Sequence, residues 1–222
     1  MISEEPALNN MMNVDELAAL IERNGGKVLD NIDSGEVAQA AWLRDHLNDG
    51  TIAENTEFQE AFNTAFKLGG RRFSNALKIK LYSIMDKAKE NESFDFYEAF
   101  HDLYLGQTQP KLSPTQFSLL SKVANTLSEA FPIYESALGD MMGFKKPTST
   151  KDTSHDRMRE YMRFYDHLQY VYSQLPQKEA INNLLKVFKI KNREHAGSIP
   201  ENKRVDLLVR SAAALHSKGS ML

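Results

Sequence analysis

Helical periodicity runs through most of this chain and constrains its fold more than any other feature. Apolar residues recur every three or four positions, as at Leu77, Leu81 and Ile84, and capping residues, glycine or proline bound each such run. Alternating strand patterns flanked by hairpin turns are absent from the sequence. The pattern therefore predicts an all-α assembly of about ten helices.

The clearest helix start is the run Ser113-Pro114-Thr115-Gln116. It combines an N-cap serine, a proline at the first helical position and a glutamine at the third, which together satisfy free backbone donors. Asn13 is a second predicted cap. The pair Gly25-Gly26 predicts the end of the first helix, and Ile133 to Met142 are predicted to form a short helix of their own.

The 222 residues include no cysteine, which excludes disulfides, thiolate zinc sites and cysteine nucleophiles. Residues 1–13 lack the basic and apolar pattern of a signal peptide. No stretch of the sequence approaches the roughly 20 apolar residues that a membrane span needs. We therefore expect a cytoplasmic protein with no membrane partner.

Charge is divided unevenly along the chain. Residues 1–143 carry a net charge of -10 and residues 144–222 a net charge of +7, although the whole chain has only -3. The polar stretch at residues 144–154 has no apolar periodicity. These features predict an acidic helical body at 1–143, a linker or mobile loop at 144–154 and a basic helical module at 155–222. Such a division indicates either an anionic partner or attraction between the two parts.

Three basic stretches are candidates for contact with phosphate groups. In the first, the helical spacing places Lys78 and Tyr82 on one face, so that the tyrosine ring could stack on a base. The second follows the linker, and the third occupies the C-terminal part of the chain. The candidate nucleic-acid-binding residues are Lys67, Arg71, Arg72, Lys78, Arg159, Arg163, Tyr170, Lys189, Lys191, Arg193, Lys203, Arg204 and Arg210.

Each basic stretch also has a structural interpretation. The first two can be solvated helix faces whose cations pair with acidic neighbours. Arg and Tyr in the second are equally typical of a protein interface. In the third, cations near Lys191 are favoured by the negative end of a helix dipole even when no ligand is present.

Motifs of known enzyme classes are missing. No two histidines lie four residues apart, and no phosphate-binding loop or nucleophile elbow is present. We therefore expect no metal and no cofactor, and the absence of motifs favours a protein that is not an enzyme. The preferred hypothesis is a helical accessory factor or complex subunit that contacts nucleic acid without reading its sequence. The alternative is an adaptor or regulator that binds a protein complex through the acidic N-terminal helices.

Overall fold

The computed structural model describes residues 11–69, 73–104, 112–147, 153–195 and 197–221, and within these ranges it is all-helical. This confirms the predicted fold class, with eleven α-helices in the described residues against about ten expected. A 3₁₀ turn, Leu175–Gln177, joins the ninth helix to the tenth. The helices are α1 (Val14–Arg23), α2 (Gly25–Asp30), α3 (Ser34–Asp45), α4 (Thr56–Ala65), α5 (Asn75–Glu90), α6 (Phe96–Tyr104), α7 (Pro114–Leu127), α8 (Ser136–Met141), α9 (Ser154–Gln174), α10 (Glu179–Lys191) and α11 (Glu201–Ser217).

Reciprocal hydrogen bonds fix the starts of three helices. At α7, the Ser113 hydroxyl accepts from the Gln116 backbone N–H at 3.3 Å, and Gln116 Oε1 accepts from the Ser113 N–H at 2.7 Å. The same arrangement opens α1 at Asn13 and α9 at Thr153. The predicted starts at Asn13 and Ser113 are therefore confirmed. Such starts can be predicted from sequence because the bonds join residues three positions apart.

Replacement of Ser113 by alanine tests the cap on α7. We expect Ser113→Ala to lower the free energy of unfolding by about 1 kcal/mol, because the Gln116 N–H loses its acceptor. Chemical denaturation measures the change. Ser173→Ala, at an exposed position late in α9, is the control and should change stability by less than about 0.5 kcal/mol. An equal loss in both variants would show that the cap contributes nothing specific.

Helix α11 forms the centre of the molecule. Its residues from Arg204 to Val209 are all buried, and it packs against α8 and α2, with further contacts to α1, α9 and α10. Helices of both predicted parts thus contribute to the same apolar cluster. The division into parts at 144–154 stays a prediction, and residues 148–152 of that linker lie outside the described residues.

Aromatic rings fill the core between α6, α7 and α9. The Phe117 ring lies 4.6 Å from that of Tyr161, 5.4 Å from Tyr134, 5.5 Å from Phe96 and 5.6 Å from Tyr165, measured between centroids. The Tyr165 hydroxyl donates to the Pro132 carbonyl at 2.5 Å. These contacts hold the segment before α8 against α7 and α9.

One predicted helix boundary is confirmed and another is wrong. Helix α1 ends at Arg23, next to the predicted stop at Gly25-Gly26, but Gly25 also begins α2, and a Cβ there would lie 2.7 Å from Leu184 Cδ2, so the glycine permits close packing on α10. The helix predicted from Ile133 begins only at Ser136. The Ile133 backbone N–H instead donates to Asp206 Oδ1 at 2.9 Å, a partner 73 residues away.

Candidate functional site: the α10 surface and the central cleft

Helix α10 has one apolar face and one basic face. Ile181, Leu185 and Phe188 are buried against the body, which orients the remaining side chains outward. The last turns and the residues just after the helix form what we call the α10 surface, all of it exposed: Lys186, Val187, Lys189, Ile190, Lys191 and Arg193. Three of its four cations were predicted as nucleic-acid contacts.

Ion pairs neutralise part of the charge on α10. Lys191 Nζ lies 2.6 Å from Asp30 Oδ1 of α2, and at the other end of the helix Lys178 Nζ lies 2.6 Å from Asp15 Oδ1 of α1. Lys189 and Arg193 form no ion pair with any residue that the structure describes. The α10 surface therefore keeps an excess of positive charge.

The predicted basic face of α9 is balanced by its own acids. Arg159 lies 3.2 Å from Asp156, and Arg163 lies 3.2 Å from Glu160, each pair one helical turn apart. Tyr170, which is 60% exposed, remains accessible. Helix α9 thus presents two arginines without a net positive stripe.

The first predicted basic stretch is only partly described. Arg71 and Arg72 lie outside the described residues, Lys67 is exposed with φ of 54°, and Lys78 is half-buried on α5. Tyr82 is buried and its hydroxyl donates to Asn63 Oδ1 at 2.9 Å. The expectation that the Tyr82 ring could stack on a base is therefore wrong, because the face on which it lies packs against α4.

The three predicted cations of α11 are directed into the protein. The Lys203 and Arg210 side chains are 13% and 16% exposed, and Arg204 is buried as well. They do not form a solvent-exposed basic face with the cations of α10. Lys203 and Arg210 instead line a cleft bounded by α3, α7, α11 and the end of α4, which we call the central cleft.

The central cleft consists of two adjoining depressions with cavity volumes of about 50 and 370 Å³. The second, which contains Lys122, lies within the range of ligand sites of about 300–1,000 Å³. Both depressions are lined by Glu36, Phe66 and Arg210. One also contains Leu43, Asn125 and Lys203, and the other contains Lys67, Lys122 and Glu135. The structure thus brings together Lys67, Lys203 and Arg210, which lie far apart in sequence.

Arg210 is the hub of an ion network in this cleft. Its guanidinium lies 2.6 Å from Glu36, 3.3 Å from Glu135 and 3.7 Å from Asp206 Oδ2. Burial alone would lower the pKa of Arg210, but the charges of Glu135, Asp206 and Glu36 outweigh it and raise this pKa above its ordinary value. Arg210 therefore stays charged and holds three carboxylates near α11.

Asp206 connects this network to the backbone before α8. Its Oδ1 accepts from the Ile133 N–H, while Oδ2 faces Arg210 and lies 4.0 Å from Lys203 Nζ. Burial raises the pKa of Asp206, opposed by the charges of Lys203 and Arg210. Lys203 Nζ donates to Asn125 Oδ1, and burial lowers the pKa of Lys203. These contacts identify Lys203 and Asp206 as part of the core.

Lys122 of α7 lines the same cleft but takes no part in this network. Its Nζ lies 5.8 Å from the centroid of the Phe66 ring and forms no ion pair or hydrogen bond within the described part of the chain. Burial lowers the pKa of Lys122, and the positive charges of Arg210 and Lys67 lower it further. The negative charges of Glu135 and Glu36 act in the opposite direction and raise this pKa.

Sequence reasoning did not select Lys122. The available signal was a single cation within the otherwise apolar and small-residue stretch from Phe117 to Leu127, where a lysine is costly unless it has a role. Its neighbours in the cleft come from α3, α4 and α11, so no local motif contains the cluster.

Comparisons of the chain with protein-family models, curated proteins and solved structures gave no match. Among the described residues, no helix is both long and apolar enough to cross a membrane. The same residues contain no group of three or more histidine, aspartate or glutamate side chains placed to hold a metal ion. Functional inference therefore depends on the α10 surface and the central cleft themselves.

Proposed function

We propose that the chain binds nucleic acid without sequence preference, through the α10 surface. The observation that supports this is the cluster of four exposed cations, Lys186, Lys189, Lys191 and Arg193, of which only Lys191 is held in an ion pair with another residue that the structure describes. Arg71 and Arg72 are not used, since they lie outside the described residues. The arginines of α9 and the cations of α11 are also excluded, because their charges are balanced or buried.

Phosphate groups fit this surface for a physical reason. A nucleic-acid backbone presents closely spaced negative charges with condensed counterions, and each cation that replaces a counterion gains free energy from its release. Lys189 lies in the last turn of α10 and Arg193 lies two residues beyond its end, so both cations belong to the same end of the helix. Contacts of this kind carry no sequence information, as the proposal requires.

Removal of the unpaired cations tests the proposal. Binding of a fluorescent 20-base-pair duplex is measured by anisotropy from 25 to 200 mM salt for the wild type and for Lys189→Ala/Arg193→Ala. We expect the double variant to bind more weakly at every salt concentration. The slope of log K against log salt should become shallower by about 2, at roughly 0.9 for each phosphate that the variant no longer neutralises.

Lys145→Ala/Lys218→Ala is the matched control, because it removes the same charge from two exposed positions outside the α10 surface. Its salt slope should remain close to that of the wild type. If the two double variants had equal effects, the binding would depend on net charge and not on the α10 surface. Absence of binding at 25 mM salt would rule the proposal out.

One observation favours a second function, docking of a protein partner. Val187 and Ile190 are 42% and 74% exposed within the α10 surface, and aliphatic side chains gain little from phosphate groups. Val187→Ser/Ile190→Ser separates the two functions. If nucleic acid is the ligand, this variant should bind the duplex as the wild type does. If a protein is the ligand, the wild type should capture a stoichiometric protein that stays bound after nuclease treatment and at high salt, and the variant should not.

A further inference from the structure

The central cleft contains an amine whose surroundings differ from those of Lys78, Lys189 and Lys203. Lys189 is exposed, Lys78 is half-buried on α5 away from the residues that line the cleft, and Lys203 is held by Asn125 and faces Asp206. Lys122 Nζ lies over the Phe66 ring, inside a cleft, with no hydrogen-bond acceptor or ion-pair partner among the described residues. A lysine used only for solubility would extend into water, and one used only for stability would have a partner.

We infer that Lys122 is a reactive amine that forms an imine with an aldehyde or ketone entering the central cleft. Lysines that act in this way are removed from water and lie close to other cations, both of which favour the neutral amine. Lys122 is half-buried in the cleft, burial lowers its pKa, and Arg210 and Lys67 act in the same direction, opposed by Glu135 and Glu36. This inference goes beyond nucleic-acid binding and does not depend on it.

The chemistry needs only groups that the cleft provides. The lone pair of neutral Lys122 Nζ attacks the carbonyl carbon, and the C=O π electrons move to oxygen, which takes up a proton. The nitrogen then loses a proton, the carbinolamine loses water, and a C=N bond forms. The balance is one amine and one carbonyl giving one imine and one water, with no oxidant or reductant. Glu135 lines the same depression as Lys122, and we assign these proton transfers to its carboxylate.

The walls of the cleft indicate what kind of carbonyl compound fits. Phe66, Ala65 and Leu43 offer apolar surface, and Lys67 supplies an exposed positive charge at the edge. An aldehyde with a flat ring and one anionic group would contact both. Pyridoxal 5′-phosphate has these features and serves as the probe. Propanal, which lacks both, separates the reactivity of the amine from attraction of the anion.

The experiment measures how fast each lysine is modified. The purified chain is incubated with pyridoxal 5′-phosphate at pH 7.4, the imine is reduced with borohydride, and the modified lysines are quantified by peptide mass spectrometry. We expect Lys122 to be modified at least about tenfold faster than Lys189 and Lys78. The direction follows because an amine attacks a carbonyl only in its neutral form, and the neutral fraction at pH 7.4 rises as the pKa falls. With propanal the absolute rates should fall while Lys122 stays the fastest.

The pH profile distinguishes a reactive amine from simple exposure. The rate at Lys122 should level off at a lower pH than the rate at Lys189. The charged groups that line this depression with Lys122 are Asp33 before α3, Glu36 on α3, Lys67 after α4, Glu135 before α8 and Arg210 on α11. Arg210 stays charged throughout, and the profile is recorded from about pH 6 upward, above the range in which carboxyl groups ordinarily titrate, so it reports the lysine.

Two variants complete the test. Lys67→Ala should raise the pH at which the Lys122 rate levels off, because one neighbouring positive charge is removed. Glu135→Gln should slow imine formation at Lys122 when the rate is measured above the pH at which it levels off, because there the lost negative charge no longer changes the neutral fraction of Lys122. The rate at Lys189 should be unchanged, with circular dichroism used to check the fold. Modification of Lys122 no faster than that of Lys189 in the folded wild type, with both aldehydes, would overturn the inference.

Discussion

Arg210→Ala is expected to lower the free energy of unfolding by about 3–5 kcal/mol, because it leaves the buried Asp206 carboxylate with Lys203 alone as a counter-charge and removes the partner of Glu36 and Glu135. Glu36, Glu135 and Asp206 all lie within 4 Å of this guanidinium, and Asp206 is 1% exposed at its side chain. For a chain of this length, the loss corresponds to a fall in melting temperature of roughly 6–20 °C. Denaturant titration at pH 7, with thermal unfolding beside it, measures both quantities.

Arg44→Ala is the matched control for this prediction. Arg44 lies 3.4 Å from Glu129 at the rim of the same cleft, but both side chains are 40% exposed or more. Water screens such a pair, so its removal should cost less than about 1 kcal/mol. A cost for Arg210→Ala as small as that of Arg44→Ala would mean that water enters the network and that Arg210 is not a structural hub.

Local features of the sequence predicted the helices well. The caps at Asn13 and Ser113 lie where the structure has them, and the apolar stripe of α9, including Phe164 and Leu168, is buried as its spacing predicts. These features depend on residues within four positions of one another. Periodicity and capping therefore carried enough information for the fold class.

The candidate site was harder to predict because it depends on contacts between distant residues. Lys203 and Arg210 were taken as exposed cations since each belongs to a basic stretch of sequence. Their acidic partners include Glu36 on α3, more than 170 residues before Arg210. Counting charges along a chain cannot show which of them meet in the core. The same limit explains Ile133, whose N–H is bound by Asp206 instead of opening a helix.

The uneven division of charge along the chain also contributes to contacts within the fold. One of the two expected outcomes was attraction between the acidic and basic parts. Ion pairs that cross the division do occur, at Lys178 with Asp15, Lys191 with Asp30, and Arg210 with Glu36. They account for some of the positive charge that sequence alone assigned to an external partner. What remains exposed and unpaired on the α10 surface is the part relevant to binding.

Phe117→Ala is expected to be as damaging as the loss of Arg210, for a different physical reason. The ring is fully buried and contacts four others, from Phe96, Tyr134, Tyr161 and Tyr165, so truncation leaves a cavity that no neighbour can fill. Deletion of a buried phenylalanine ring typically costs about 3–5 kcal/mol. Denaturant titration measures the loss, and near-ultraviolet circular dichroism should report altered packing of the tyrosines.

Tyr170→Ala provides the control, since it deletes an aromatic ring that is 60% exposed on α9. Its cost should be within about 0.5 kcal/mol of zero. The aromatic cluster holds the segment that carries Glu135, and Glu135 is bound to Arg210 in the central cleft. Phe117→Ala should therefore also slow imine formation at Lys122, even where the variant is folded. Unchanged stability together with an unchanged Lys122 rate would show that the cluster and the cleft are independent.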